Sequence, residues 1–232
     1  MSKRVCLITG GSRGIGLATA LRLGRAGYRV FITARRRQGL EDAGRRVREV
    51  GAECDALVAD VGDDAQARGM IAEAHAAAGR LDVLVNNAGV APLAPLEQMT
   101  AAAFDEVMRV NVAGVFHATQ AAWPIFRGQQ GGVIVSVSSL AAVDPFPGFA
   151  VYGASKAWVN LFTRAIAAEG RPHGIRAYAV APGAVETTML RARFPTFPAE
   201  QTLAPDDVAG VIETLCDPRL APASGETVYV RR

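Results

Sequence analysis

Val5-Cys6-Leu7-Ile8-Thr9-Gly10-Gly11-Ser12-Arg13-Gly14-Ile15-Gly16 joins an uncharged apolar run to a glycine-rich turn near the start of the chain. Its first five residues carry no charge and read as a strand buried on both faces. The glycine-rich turn after them opens a helical pattern with apolar positions at Ile15, Ala18 and Leu21. Glycines there permit a tight turn and let the backbone approach a pyrophosphate at the helix N-terminus. A glycine cluster by itself also serves turns and close helix packing. Its place directly after a buried strand is what gives it weight.

Outward from this unit the alternation of strand and helix continues without a break in composition. Residues 29–33, 54–58, 83–85, 133–137, 175–180 and 227–230 read as further strands. Helical patterns fall at about 40–50, 65–78, 151–168 and in one long stretch from about 101 to 126. Asp206 or Asp207 is expected to cap a last helix carrying Val208, Val211, Ile212 and Leu215. The expected fold class is α/β: a single-domain, doubly wound Rossmann fold over residues 1–232, its seven-stranded, mainly parallel sheet covered by helices on both faces. Pro195, Pro198 and Pro205 mark one irregular segment, between Leu190 and Pro205.

Half of the 232 residues are hydrophobic, enough for a large core and too many for a disordered chain. The formal net charge is only +3 and the longest basic run is Arg35-Arg36-Arg37, which argues against a nucleic-acid partner. Cys6, Cys54 and Cys216 lie far apart with no CxxC spacing, so neither a disulfide framework nor a zinc site is expected, and the reduced cytoplasm fits best. His75, His117 and His173 show no metal-ligand spacing. Met1-Ser2-Lys3-Arg4 leads straight into a strand rather than an apolar leader, and no uninterrupted apolar run is long enough for a membrane span.

Further motifs follow the glycine turn in order. Asp60-Val61 comes after the third strand, Asn86-Asn87-Ala88-Gly89 after the fourth, Asn111 in the long helix and Ser139 after the fifth strand. Tyr152-x-x-x-Lys156 and then Pro182-Gly183 with Thr187 complete the set. With the Thr-Gly-x-x-x-Gly-x-Gly spacing of the turn, the series resembles the short-chain dehydrogenase/reductase family, non-extended type, from Val5 to about Val230. The resemblance implies an enzyme that moves a hydride between a nicotinamide cofactor and a small-molecule carbonyl or alcohol. It places Gly10, Ser12, Arg13, Ile15 and Gly16 at the cofactor phosphates, and Asp60 and Val61 at the adenine. Asn87, Ala88 and Gly89 then fall at the adenosine ribose, and Pro182, Gly183, Val185 and Thr187 around the nicotinamide. It also gives Asn111, Ser139, Tyr152 and Lys156 the catalytic roles, with Lys156 holding the nicotinamide ribose, Ser139 the substrate oxygen, and Asn111 a relay water. Residues 188–205 correspond to a short substrate lid, and the helices holding Asn111 and Tyr152 to the face of a homodimer or homotetramer.

A dinucleotide enzyme that prefers NAD usually carries a carboxylate at the end of the second strand. Here Ala34 stands there, Arg35 follows, and Arg13 is at hand in the turn. Both guanidinium groups suit a 2′-phosphate, so NADP(H) is expected over NAD(H), the lesser alternative being that Arg35 to Arg37 is a solvated loop run.

Tyr152 and Lys156, four apart on a helix, share one face. An ordinary tyrosine has a pKa of about 10, and a nearby ammonium is expected to lower it. Taken singly, the pair could sit on an exposed helix, Ser139 could serve a turn, and Asn111 could satisfy a kink. Their common register is what selects catalysis. A non-catalytic NADP(H) sensor acting through a partner is the rival reading, and it has little need of that pair. Met189, Leu190, Phe194 and Phe197 in the lid, with Phe146 and Phe149 in the loop 143–149, point to an open and partly apolar pocket. The oligomer face of the resemblance falls on Ala118, Ala121, Trp123, Trp158 and Phe162; the alternative is that these residues simply pack on the sheet.

Overall fold

The computed structural model of the chain describes residues 3–232; Met1 and Ser2, which open the chain, lie outside the described residues. Strands β1 (Val5–Thr9), β2 (Arg29–Ala34), β3 (Cys54–Val58), β4 (Val83–Asn86), β5 (Gly132–Val137), β6 (Ile175–Pro182) and β7 (Thr227–Val230) form one sheet in the order β3-β2-β1-β4-β5-β6-β7. Every pairing is parallel, so the sheet is wholly rather than mainly so. Parallel neighbours need crossovers. These run through α1 (Gly14–Arg25), α2 (Arg37–Glu49), α3 (Asp64–Ala78), α4 (Ala101–Val107), α5 (Gly114–Gln129) and α6 (Ala150–Gly170), with α7 (Thr188–Arg193) and α8 (Pro205–Leu215) between β6 and β7.

Side chains alternate across a strand, and the core divides accordingly. Cys6 and Ile8 of β1 pack with Leu17 and Leu23 of α1, Leu40 and Val47 of α2, and Val208 and Ile212 of α8. Val5 and Leu7 face the other way, into a second cluster with Met70 and Ile71 of α3, Phe126 of α5 and Ile166 of α6. This is the doubly wound arrangement expected from the buried strands.

Three local expectations need correction. The long helix from 101 to 126 is not continuous: α4 and α5 are joined by a π-helical turn, Met108–Ala113, and α5 runs on to Gln129. The turn carries Asn111, a fully buried amide that must find partners. Its Oδ1 accepts from Val90 N at 2.9 Å, and its Nδ2 donates to Val90 O at 2.9 Å and to Ser155 Oγ at 3.1 Å. Neither Asp206 nor Asp207 is the cap of α8. Pro205 starts that helix after Ala204, and Asp207 Oδ2 reaches back to accept from Ala204 N at 2.8 Å. The segment 190–205 is not wholly irregular, because α7 extends into it and Ala199–Gln201 forms a 3-10 turn.

The winding reverses between β1 and β4, which opens a crevice at the carboxyl ends of those strands. One hydroxyl closes its floor. Buried Thr9 Oγ1 accepts from the backbone N–H groups of Asn87 and Ala88, both at 3.0 Å. In return, Asn87 Nδ2 donates to Thr9 O at 2.8 Å and to Gly10 O at 3.1 Å. The glycine turn is thereby pinned to the segment after β4. Thr9→Val keeps the shape of the side chain and leaves two partly buried N–H groups without an acceptor, so we expect a loss of about 2–3 kcal/mol in urea unfolding. A loss within error of zero would show that the stitch carries no load.

Candidate active site

Four features of the crevice fit a dinucleotide. Helix α1 starts after Arg13, whose side chain makes no cap, so the first-turn amides point at the crevice without a side-chain acceptor. At Gly16 an added Cβ would come within 2.5 Å of both Asn87 Nδ2 and Gly10 O, so only glycine keeps the turn closed. Across the opening, Gly14 faces Thr187, whose Cγ2 would lie 3.3 Å from a Cβ at Gly14. At Gly89 a Cβ would stand 3.3 Å from Asn111 Oδ1 and 3.6 Å from Lys156 Nζ. A narrow cradle thus runs from the glycine turn to the Tyr152–Lys156 helix, and these donors and openings suit a nicotinamide dinucleotide.

Not every expected cofactor residue turns its side chain to this cradle. Val61 and Val185 are buried in the core, and Ile15 packs against it. The Asn87 amide is spent on the glycine turn. These residues offer backbone to a ligand, as do Ala88 and Gly89. Gly10 lies against Ala88, where a Cβ would be 3.0 Å from its Cα, and Pro182 ends β6. Gly183 N donates to Val230 O at 3.0 Å, and Thr187 caps α7 by accepting from Leu190 N at 3.2 Å. Ser12 sits beside Gly39 in the first turn of α2, and Arg13 is exposed. Burial works to raise the Asp60 carboxyl, but the Gly62 amide and the Arg109 guanidinium outweigh it and hold the group below its ordinary value. Arg35 is drawn to Glu106 at 3.0 Å.

The catalytic candidates do converge. Lys156 is only 4% exposed and its Nζ donates to Val137 O at 2.8 Å. Among the described residues it forms no ion pair, and burial alone pushes it down to about 8. Its Nζ lies 5.8 Å from the centre of the Tyr152 ring. Tyr152 shares a hydrogen bond with Ser139, while Ser138 Oγ donates to Lys156 O at 3.1 Å and ties the end of β5 to α6. The expected lowering of the phenol by the ammonium does not appear. Burial raises the Tyr152 pKa, and the hydrogen bond with Ser139 offsets part of that rise.

An aromatic wall stands over this pair. Phe149 lies 5.0 Å from Tyr152 between ring centres, with Phe146 4.5 Å and Phe194 6.0 Å from Phe149. The loop 143–149 and the segment after α7 therefore meet above the phenol. Phe197 does not join the wall; its carbonyl accepts from Arg191 Nη1 at 2.6 Å. Arg191 also pairs with Glu186, which clasps α7 to the end of β6. Sequence reasoning passed over this clasp and the structural part of Thr9. It also passed over Glu106 and Arg109, whose i,i+3 spacing of opposite charges on a helix was the available signal.

Ala118, within α5, is fully buried and so does not reach an oligomer face, and Ala121 and Trp123 pack partly against the core. Trp158 stacks on Phe162 with 4.6 Å between ring centres, beside a shallow recess of about 400 Å³ lined by Phe104, Met108, Val151 and Trp158. No helix among the described residues is long and apolar enough to cross a membrane, and no group of metal-binding side chains occurs among them.

A doubly wound parallel sheet with a glycine-lined crevice and a tyrosine beside a buried lysine defines a class of dinucleotide-binding protein, and comparison with known proteins specifies it. The family model for short chain dehydrogenase matches residues 4–197. The chain is 35% identical over 236 residues to a 3-oxoacyl-acyl-carrier-protein reductase from Thermotoga maritima, covering 98% of this chain and 96% of the relative. The crystal structure of a levodione reductase superposes with a TM-score of 0.94 at 31% identity, covering 100% of this chain and 97% of the other. A 3-ketoacyl-acyl-carrier-protein reductase from Brucella melitensis, solved with NADH, gives a TM-score of 0.91 at 32% identity, with 99% and 97% covered. The chain belongs to the short-chain dehydrogenase/reductase family of oxidoreductases.

The buried lysine has a measurable consequence. Folded Lys156 releases its proton at about 8, below the ordinary lysine value of 10.5. Between those values the unfolded chain binds more protons, so stability rises with pH. The raised Tyr152 acts in the opposite sense only above about 10. From pH 8 to about 9.5 we expect the wild type to gain roughly 2 kcal/mol over Lys156→Met in urea unfolding. Parallel pH profiles of the two proteins would contradict the assignment.

Proposed function

We propose that this protein is an NADP(H)-dependent oxidoreductase that reduces an uncharged carbonyl, as a general carbonyl or 3-oxoacyl reductase. The observation that carries the reading is Lys156, a buried ammonium without a counter-charge beside a phenol at the end of a dinucleotide crevice. Burying a lone charge is costly, and such groups mark functional sites. A nucleotide sensor without chemistry, the other reading open to the sequence, gives no reason for that cost.

The bound nicotinamide supplies or accepts the hydride. Tyr152, raised by burial, keeps its proton at neutral pH, which is the state that donates to a carbonyl oxygen. Ser139, on the same phenol, holds that oxygen in place. Lys156 would hold the nicotinamide ribose, and Asn111, fixed through Val90, would hold a relay water at the π turn. The first-turn amides of α1 with Gly10, Ser12, Ile15 and Gly16 take the pyrophosphate, while Asp60, Val61, Asn87, Ala88 and Gly89 flank the adenosine. Pro182, Gly183, Val185 and Thr187 enclose the nicotinamide end.

The NADP(H) preference rests on the chain's own residues, since the Brucella melitensis relative was solved with NADH. Ala34 leaves no carboxylate to repel a 2′-phosphate; Arg13 follows Ser12, which meets Gly39 of α2, and Arg35 precedes that helix in the chain. Residues 188–205 act as the substrate lid, and Phe146, Phe149 and Phe194 favour an apolar substrate body. The apolar recess lined by Phe104, Met108, Val151 and Trp158 is covered by a second copy of the chain, and Leu161 of α6 adds a large exposed apolar side chain. Buried free thiols at Cys6, Cys54 and Cys216 suit a cytoplasmic protein.

The test is NADPH oxidation over a panel of diketones, quinones and 3-oxoacyl thioesters, with NADH alongside. For any substrate turned over, Tyr152→Phe is expected to lower kcat by about 10²–10⁴-fold while NADPH binding changes less than about threefold. Undiminished turnover in Tyr152→Phe would overturn the reading.

A further inference from the structure

Where β2 and β3 end, four charged side chains form one chain of ion pairs. Arg35 Nη1 donates to Glu106 Oε1 at 3.0 Å. The other oxygen, Glu106 Oε2, accepts from Arg109 Nε at 2.9 Å and from Arg109 Nη2 at 2.7 Å. Arg109 Nη1 in turn donates to Asp60 Oδ2 at 2.9 Å. Two cations meet two anions, so the network is neutral. It spans the adenosine end of the crevice, joining the ends of two neighbouring strands to α4 and the π turn.

The two arginines differ in how firmly they are held. Arg109 is gripped by two carboxylates and lies over Gly62, where a Cβ would overlap its guanidinium. Arg35 has one carboxylate partner among the described residues and its side chain is 54% exposed. A phosphate arriving at the end of β2 would therefore draw on Arg35, and it would meet Glu106 there. That carboxylate opposes the phosphate in two ways, by taking one guanidinium donor at Nη1 and by repelling the second anion.

We infer that Glu106 is a specificity-determining residue, a built-in counter-anion that occupies Arg35 and limits the advantage of a 2′-phosphorylated dinucleotide over its unphosphorylated counterpart. The inference rests on the NADP(H) reading above and is independent of the chemistry at Tyr152. An exposed ion pair is worth no more than about fivefold in an equilibrium constant, so the residue tunes the preference rather than reversing it. Salt weakens the competition, because both partners face solvent.

Equilibrium titrations with NADPH and with NADH, by calorimetry at low salt, test it on the wild type, Glu106→Gln, Arg35→Gln and the double variant. Glu106→Gln is expected to raise the NADPH-to-NADH affinity ratio about three- to fivefold. The gain is expected to vanish when Arg35 is also replaced, and to shrink in about 0.5 M salt. Glu106→Ala, which removes the hydrogen-bonding group as well as the charge, should raise the ratio in the same direction. If Arg35→Gln weakens NADPH selectively while both Glu106 variants leave the ratio unchanged, the inference is wrong and the NADP(H) reading stands. A gain that persists undiminished without Arg35 also overturns it. If Arg35→Gln alters neither affinity, the NADP(H) reading fails and the inference falls with it.

Discussion

The site depends on the stitch between β1 and β4. In a doubly wound sheet these two strands end side by side, but their connections leave in opposite directions, so a crevice is unavoidable and its floor has backbone groups without sheet partners. Thr9 and Asn87 satisfy them reciprocally, hydroxyl to amide N–H and side-chain amide to carbonyl. The same closeness leaves no room for a side chain at Gly16. The glycines are therefore required by the packing of one strand end on another, and the uncapped start of α1 is a product of that packing.

The Tyr152–Lys156 pair lies further along the crevice, and its electrostatics follow from burial more than from pairing. Charged Lys156 is disfavoured where it sits, yet Val137 O and the enclosing helix hold it there. Its nitrogen lies 5.8 Å from the centre of the tyrosine ring, and burial, not the ammonium, sets the direction in which the phenol shifts. A phenol that keeps its proton is suited to giving it away. On this account the site trades stability for chemistry, as strained or charged functional groups commonly do.

Much of this was legible in the sequence. The parallel strands show as short apolar runs because both of their faces are buried, and the glycine, Asn111, Ser139 and Tyr152-x-x-x-Lys156 spacings placed residues that the fold brings together. What escaped was set by tertiary contact. The break at Met108–Ala113 comes from a buried amide reaching for Val90, which no local propensity records. The start of α8 went to Pro205 because Asp207 could serve Ala204 from inside the helix. Arg35 reads as a free phosphate ligand until Glu106, 71 residues later, is seen beside it. The inward-facing side chains of Val61 and Val185 were hidden because a motif names positions and not the direction of a side chain.

The central claim is that the glycine turn, closed on Asn87, is a dinucleotide site. Titration of the protein with NADPH, followed by the fluorescence of the reduced nicotinamide, tests it most directly when wild type and Gly16→Val are compared at matched folded fraction. The account requires saturable one-to-one binding to the wild type and at least a tenfold weaker affinity in the variant, about 1.4 kcal/mol. A wild type that does not bind, or a variant that binds equally well, would contradict it.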